Sequence, residues 1–131
     1  MTDRSLNDLH PDLQFWYQKL VVDLNAQSVT ARMIQGWRDP AYQNKLHSQG
    51  ISPLTGATSK HCFCLDGHPA SKAFDLGVFE SDGTYVTDGK DPRYAQAGSL
   101  WEQYAATGPK GMAWGGRFMH PCPDMDHFEI A

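Results

Sequence analysis

At 131 residues, 40 % hydrophobic and 20 % charged, the chain is long enough for one packed core and too short for two ordinary domains, and its composition is neither disordered nor fibrous. A formal charge of −4 leaves no basic field for phosphates, which excludes nucleic acid as a partner read by charge. No apolar run nears the roughly 20 residues of a bilayer span, and MTDRSLNDLHPDLQ lacks the basic-then-apolar order of a signal peptide, so a chain made in the cytoplasm without membrane insertion is expected.

In chain order, PDLQFWYQKLVVDLN places Leu13, Trp16, Tyr17, Leu20, Val21 and Leu24 at helical spacing behind Pro11, which predicts an amphipathic helix. SVTARMIQG alternates through β-branched positions and stops at Gly36, as a half-buried strand does. Asp39-Pro40 is an N-cap and first-turn pair for a short helix ending at Gly50, and ISPLTGAT is a loop. HCFCL and AFDLGVFE read as strands joined by an Asp66-Gly67 turn into one hairpin. GTYVTDG adds an extended edge, and PRYAQAGSLWEQYAATG is a second long helix running from Pro92 to Gly108. MAWGGRF and HFEI close the chain as short strands. The expected architecture is a small single α+β domain over 1–131, its antiparallel sheet flanked by helices. Trp16 and Trp101 fall on apolar helix faces and belong to the core.

Three cysteines, Cys62, Cys64 and Cys122, cannot all pair within one chain and are read as free, mostly buried thiols. Cys62-x-Cys64 is too tight for the usual structural-zinc knuckle, although a structural site made of His120, Cys122, Cys62 and Cys64 is a reading to be tested. His10, His47 and His120 are read as surface residues, with His120 near enough in sequence to the acidic C-terminal segment to touch a ligand bound there.

Chemistry concentrates elsewhere. PDMDHFEIA packs Asp124, Asp126 and Glu129 around His127, and strand alternation puts His127 and Glu129 on one face with Phe128 and Ile130 on the other. Asp75 sits inside the apolar run AFDLGVF, where an unpaired carboxylate is costly to bury and calls for a cation. The cation is either a basic side chain or a metal. Two histidines and a carboxylate with a fourth position open form a catalytic zinc shell, which His61 or His68, Asp75 and His127 could supply.

The segments QGWRDPAYQ, SKH, SKAFD, WGG and DMDHFE, in this order and spacing, resemble the zinc D-alanyl-D-alanine carboxypeptidase and L-alanyl-D-glutamate endopeptidase family, which includes phage endolysins that cut peptidoglycan stem peptides. The resemblance spans residues 33 to 129. It implies a zinc cleft on the sheet, with His61, Asp75 and His127 as ligands and Asp124, three residues before the last ligand, as general base and then acid. Asp126 is the second choice for that role, because in a strand it faces away from His127. Arg38 falls on the family's arginine that binds substrate or stabilises the oxyanion, and Gln43, Ser59 and Trp114 on cleft-lining positions.

One departure concerns the first ligand. The family sets six residues between its zinc histidine and aspartate, a spacing that fits His68, whereas the Ser-x-His context fits His61. A hairpin at Asp66-Gly67 can absorb the extra length and leaves His68 at an exposed tip, which favours His61. The implied reaction is attack on a peptide carbonyl by zinc-bound water, with Asp124 taking the proton and Arg38 offsetting the developing charge. The implied substrate is a peptidoglycan stem peptide, cut first at L-alanyl-D-glutamate, by a monomeric endolysin acting on the wall after release. The alternatives are D-Ala-D-Ala carboxypeptidase action and a non-catalytic zinc-containing binding module.

Overall fold

Pro11, Pro40 and Pro92 open α1 (Pro11–Ala26), α2 (Pro40–Ser48) and α3 (Pro92–Tyr104) in a computed structural model that describes residues 2–119 and 122–131. Proline suits a first turn, where its missing N–H has no helical partner. The residue before each proline caps the turn: His10 Nδ1, Asp39 and Asp91 accept from the amides of Asp12, Ala41 and Arg93. Gly50, at φ +73°, closes α2 as expected. The third helix stops at Tyr104 rather than Gly108, because the amides of Thr107 and Gly108 both turn back onto the Tyr104 carbonyl.

The described residues form seven strands in chain order: β1 (Thr30–Gln35), β2 (Cys64–Leu65), β3 (His68–Pro69), β4 (Ala73–Phe79), β5 (Tyr85–Val86), β6 (Ala113–Trp114) and β7 (His127–Glu129). The main sheet is antiparallel in the order β1-β4-β7-β6, with β5 also on β4. The expected single hairpin needs correcting. Asp66 and Gly67, both at positive φ, do make the turn, but it joins only β2 to β3, and β4 pairs with β1, β5 and β7 instead. The seven-residue apolar β4 gains far more by sitting in the middle of the main sheet than by pairing with the short, exposed β2.

Alternation along the strands divides the sheet into two faces. Phe74, Leu76 and Val78 of β4, Ala31 and Met33 of β1 and Phe128 of β7 join the side chains of α1 and α3 in one core. Phe74 and Phe128 stack at 5.3 Å, and Trp101 of α3 meets both edge-on at 5.4 and 5.6 Å. Asp75, His127 and Glu129 necessarily take the opposite face. β1 carries a bulge between Met33 and Gln35, which turns its end toward that face.

Trp114 is part of this core: it is 5 % exposed, and its indole donates to the Met125 carbonyl at 2.8 Å. A Cβ on Gly98 of α3 would lie 2.2 Å from the Trp114 ring, and one on Gly116 equally close. Alanine is ordinarily better than glycine inside a helix by about 1 kcal/mol. At Gly98 the displacement of a buried indole outweighs that gain, since overpacking costs about 1–3 kcal/mol and this contact is severe. Gly98→Ala is therefore expected to lower the urea midpoint, and a midpoint at or above wild type would contradict this packing.

Candidate metal centre

The cluster is assembled by the register of β4 on β7. Asp75 and His127 lie directly opposite each other, so their side chains emerge side by side on the face away from the helices. His61 arrives from a 3-10 turn, Lys60–Cys62, that lies over the same face. Its position is pinned by the Arg38 amide donating to the His61 carbonyl at 2.9 Å. One donor atom from each of His61, Asp75 and His127 lies within 4.8 Å of the others. His61 Nε2 stands 3.5 Å and His127 Nδ1 3.4 Å from the same oxygen, Asp75 Oδ1.

That oxygen is buried and accepts no hydrogen bond that meets normal geometry. The far nitrogen of each ring, by contrast, is engaged: His61 Nδ1 lies 2.8 Å from the Gly36 carbonyl, and His127 Nε2 lies 2.9 Å from Glu129 Oε1. Both acceptors lack a hydrogen of their own, so each ring in its neutral form keeps its proton outward and leaves the nitrogen facing Asp75 free to bind a cation. Two imidazole nitrogens beside one buried carboxylate oxygen that accepts no hydrogen bond are a donor set suited to a divalent cation, and His61, Asp75 and His127 could hold one. His68 stands exposed on the β2–β3 hairpin and is not in the cluster.

The charges follow this arrangement. Burial alone would raise the Asp75 pKa, but the two imidazoles outweigh it and hold the carboxyl well below the usual range. Burial likewise opposes protonation of His127, yet Asp75 and Glu129 together push its pKa up to about 9. Asp126 goes the other way: burial, its hydrogen bond with Asp124 and the charge of Asp75 raise it to about 8.

Asp124 and Asp126 both bring carboxylate oxygens within 4.8 Å of one from Asp75. The expectation that Asp126 faces away is corrected, because residues 125 and 126 form a turn and the strand begins only at His127. Asp124 is the more exposed of the two and is positioned by its amide, which donates to the Gly115 carbonyl at 2.8 Å. A Cβ on Gly115 would lie 2.1 Å from the Asp124 carbonyl oxygen, so this glycine of WGG is required by close approach.

The remaining positions have the following settings. Arg38 Nη1 donates to Gln43 Oε1 at 2.8 Å while Arg38 Nε is buried without a partner. Gln43 is 1 % exposed and also donates to Ser52 Oγ and the Leu54 carbonyl, so it braces Arg38 and the following loop instead of lining a cleft. Ser59 faces a surface pocket with Lys60, Phe63 and Lys72 that includes none of the three ligand candidates. Trp114 is core, as its burial requires. Cys62 is buried, but Cys64 and Cys122 are exposed, contrary to the reading of mostly buried thiols. Among the described residues no cysteine joins a metal-competent cluster, and His120, in both readings made of it, lies outside them. The roles of Lys60 and Glu129 escape residue-type reasoning; the His-x-Glu spacing in a strand was their one signal.

No protein-family model matches the chain, and no curated protein sequence does. Among solved structures it is similar to the crystal structure of Serratia marcescens L-Ala D-Glu endopeptidase ChiX, with a TM-score of 0.69 and 24% sequence identity over 100% of this chain and 89% of that one. At this identity the likeness shows the fold. No helix among the described residues is long and apolar enough to cross a membrane.

Because His127 keeps its extra proton up to about pH 9, a metal must displace that proton to reach the ring. Zinc affinity should therefore rise by about tenfold per pH unit between pH 6 and 8, with about one proton released per metal. Calorimetry in buffers of different ionisation enthalpy measures this, and an affinity flat over that range would contradict the assignment of His127.

Proposed function

We propose that this chain is a zinc-dependent peptidase of peptidoglycan stem peptides, an L-alanyl-D-glutamate endopeptidase. The observation that carries the reading is the orphaned, buried Asp75 Oδ1 set between two imidazole nitrogens whose rings are each anchored from behind. The full-length fold likeness to a protein described as an L-Ala D-Glu endopeptidase supports the choice of substrate. His61, Asp75 and His127 would hold a zinc ion, which when bound would supply Lewis acidity toward a peptide carbonyl and an attacking water.

The protein's own groups do the rest. Asp124, open to solvent and close to Asp75, accepts the proton of the attacking water and passes it to the departing amine. Asp126 is less suited to this, since it is more buried than Asp124. In its protonated form it is a donor that can hold Asp124 in place. Arg38, fixed on one side by Gln43, offers its remaining donors to a substrate carboxylate or to the oxyanion of the tetrahedral intermediate. A planar fork does either task better than an ammonium.

Digestion of purified peptidoglycan followed by mass spectrometry of the fragments tests the reading. New L-alanine C-termini and D-glutamate N-termini are expected; release of free D-alanine would assign carboxypeptidase action instead, and no new termini would leave only a zinc-containing binding module. Asp124→Ala should keep one zinc per chain while lowering kcat by about 10²–10⁴-fold, the usual contribution of a positioned proton acceptor. A variant with undiminished turnover would remove Asp124 from the mechanism.

A further inference from the structure

Lys60 and Glu129 connect the two ends of the metal cluster. Glu129 presents one oxygen, Oε1, to His127 Nε2 at 2.9 Å, and its other oxygen, Oε2, is ion-paired with Lys60 Nζ. The same ammonium donates to the Ile130 carbonyl at 2.8 Å, so two bonds hold it to the strand that carries His127. The Lys60 carbonyl accepts from the Lys72 amide at 3.0 Å, and the Lys72 carbonyl accepts from the Ile130 amide at 3.0 Å. Lys60 immediately precedes His61. One residue thus ties the turn that brings the first imidazole to the strand that brings the second.

We propose that Lys60 and Glu129 are positioning residues of the metal centre: Lys60 fixes the Glu129 carboxylate, and Glu129 fixes the His127 ring with Nδ1 turned toward Asp75. This rests on the metal-site reading above. A carboxylate only accepts, so the ring nitrogen facing Glu129 carries hydrogen and the opposite nitrogen is left to bind. A glutamate with one oxygen free would swing between rotamers and release the ring; the lysine removes that freedom. His61 has no such carboxylate, only the neutral Gly36 carbonyl, so the support falls unequally on the two ligands. The Lys60 side chain is 37 % exposed and the Glu129 side chain 16 %, so Lys60→Met removes the more exposed partner and keeps the packing of the stem. The consequence belongs to metal affinity rather than to stability, which separates a positioning role from a structural one.

The test uses the full chain, with zinc affinity measured by competition against a chromophoric chelator, thermal unfolding measured alongside, and the His127 tautomer of the metal-free protein read by long-range ¹H–¹⁵N correlation at high pH. Glu129→Ala is expected to weaken zinc binding by about 10–100-fold and to move the His127 proton off Nε2 in part of the population. Lys60→Met is expected to weaken binding several-fold with Tm near wild type, and Lys60→Arg, which keeps the cation, to restore it. Wild-type affinity in Lys60→Met and Glu129→Ala would overturn the assignment, as would a loss matched by lost thermal stability that Lys60→Arg does not repair. Zinc affinity is read without substrate. A wild type that binds zinc but cleaves no peptidoglycan therefore sinks the peptidase reading alone, and unchanged affinity in the variants sinks this one alone; a wild type that binds no zinc sinks both.

Discussion

Asp75 places a carboxylate in the middle strand of the sheet, between Phe74 and Leu76, whose side chains are fully buried on the other face. An uncompensated charge at such a place costs several kcal/mol, enough to consume much of the stability of a domain this size. Among the described residues it is met by two imidazoles and by no lysine or arginine. An arginine partner would have closed the site as a structural ion pair. Two imidazoles leave nitrogen donors beside the carboxylate, and His127 can exchange its extra proton for a metal.

The rest of the fold serves that placement. The register of β7 on β4 sets His127 opposite Asp75, and the bulge in β1 brings the Gly36 carbonyl to the back of His61. The glycines of WGG allow the chain to double back closely enough for Asp124 to reach the cluster, while Trp114 and Gly98 lock β6 against α3. The chemistry thus occupies one face of the sheet and the packing the other, with single residues such as Trp114, whose indole holds the Met125 carbonyl, connecting the two.

Much of this was legible in the sequence because it rests on local rules. Pro11, Pro40 and Pro92 marked the starts of α1, α2 and α3, and strict alternation in HFEI separated the ligand face from the core. Asp75 stood out as a charge in an apolar run, and the hairpin chemistry of Asp66-Gly67 correctly placed His68 at an exposed tip. Features set by tertiary competition were not legible. Which strand β4 would pair with depended on the whole sheet; the orientation of Asp126 depended on the turn at residues 125 and 126 just before β7; and the burial of Trp114 depended on a glycine sixteen positions earlier on another element. Gln43 looked like a cleft residue from its setting, yet its amide is consumed by Arg38, Ser52 and Leu54.

The central claim is that His61, Asp75 and His127 form one metal centre on the sheet. Anomalous diffraction at the zinc absorption edge, from crystals grown with zinc, tests it most directly. One strong peak per chain is expected, bounded by His61 Nε2, Asp75 and His127 Nδ1. A peak at the cysteines, a peak that includes His68 in place of His61, or none at Asp75 would contradict it.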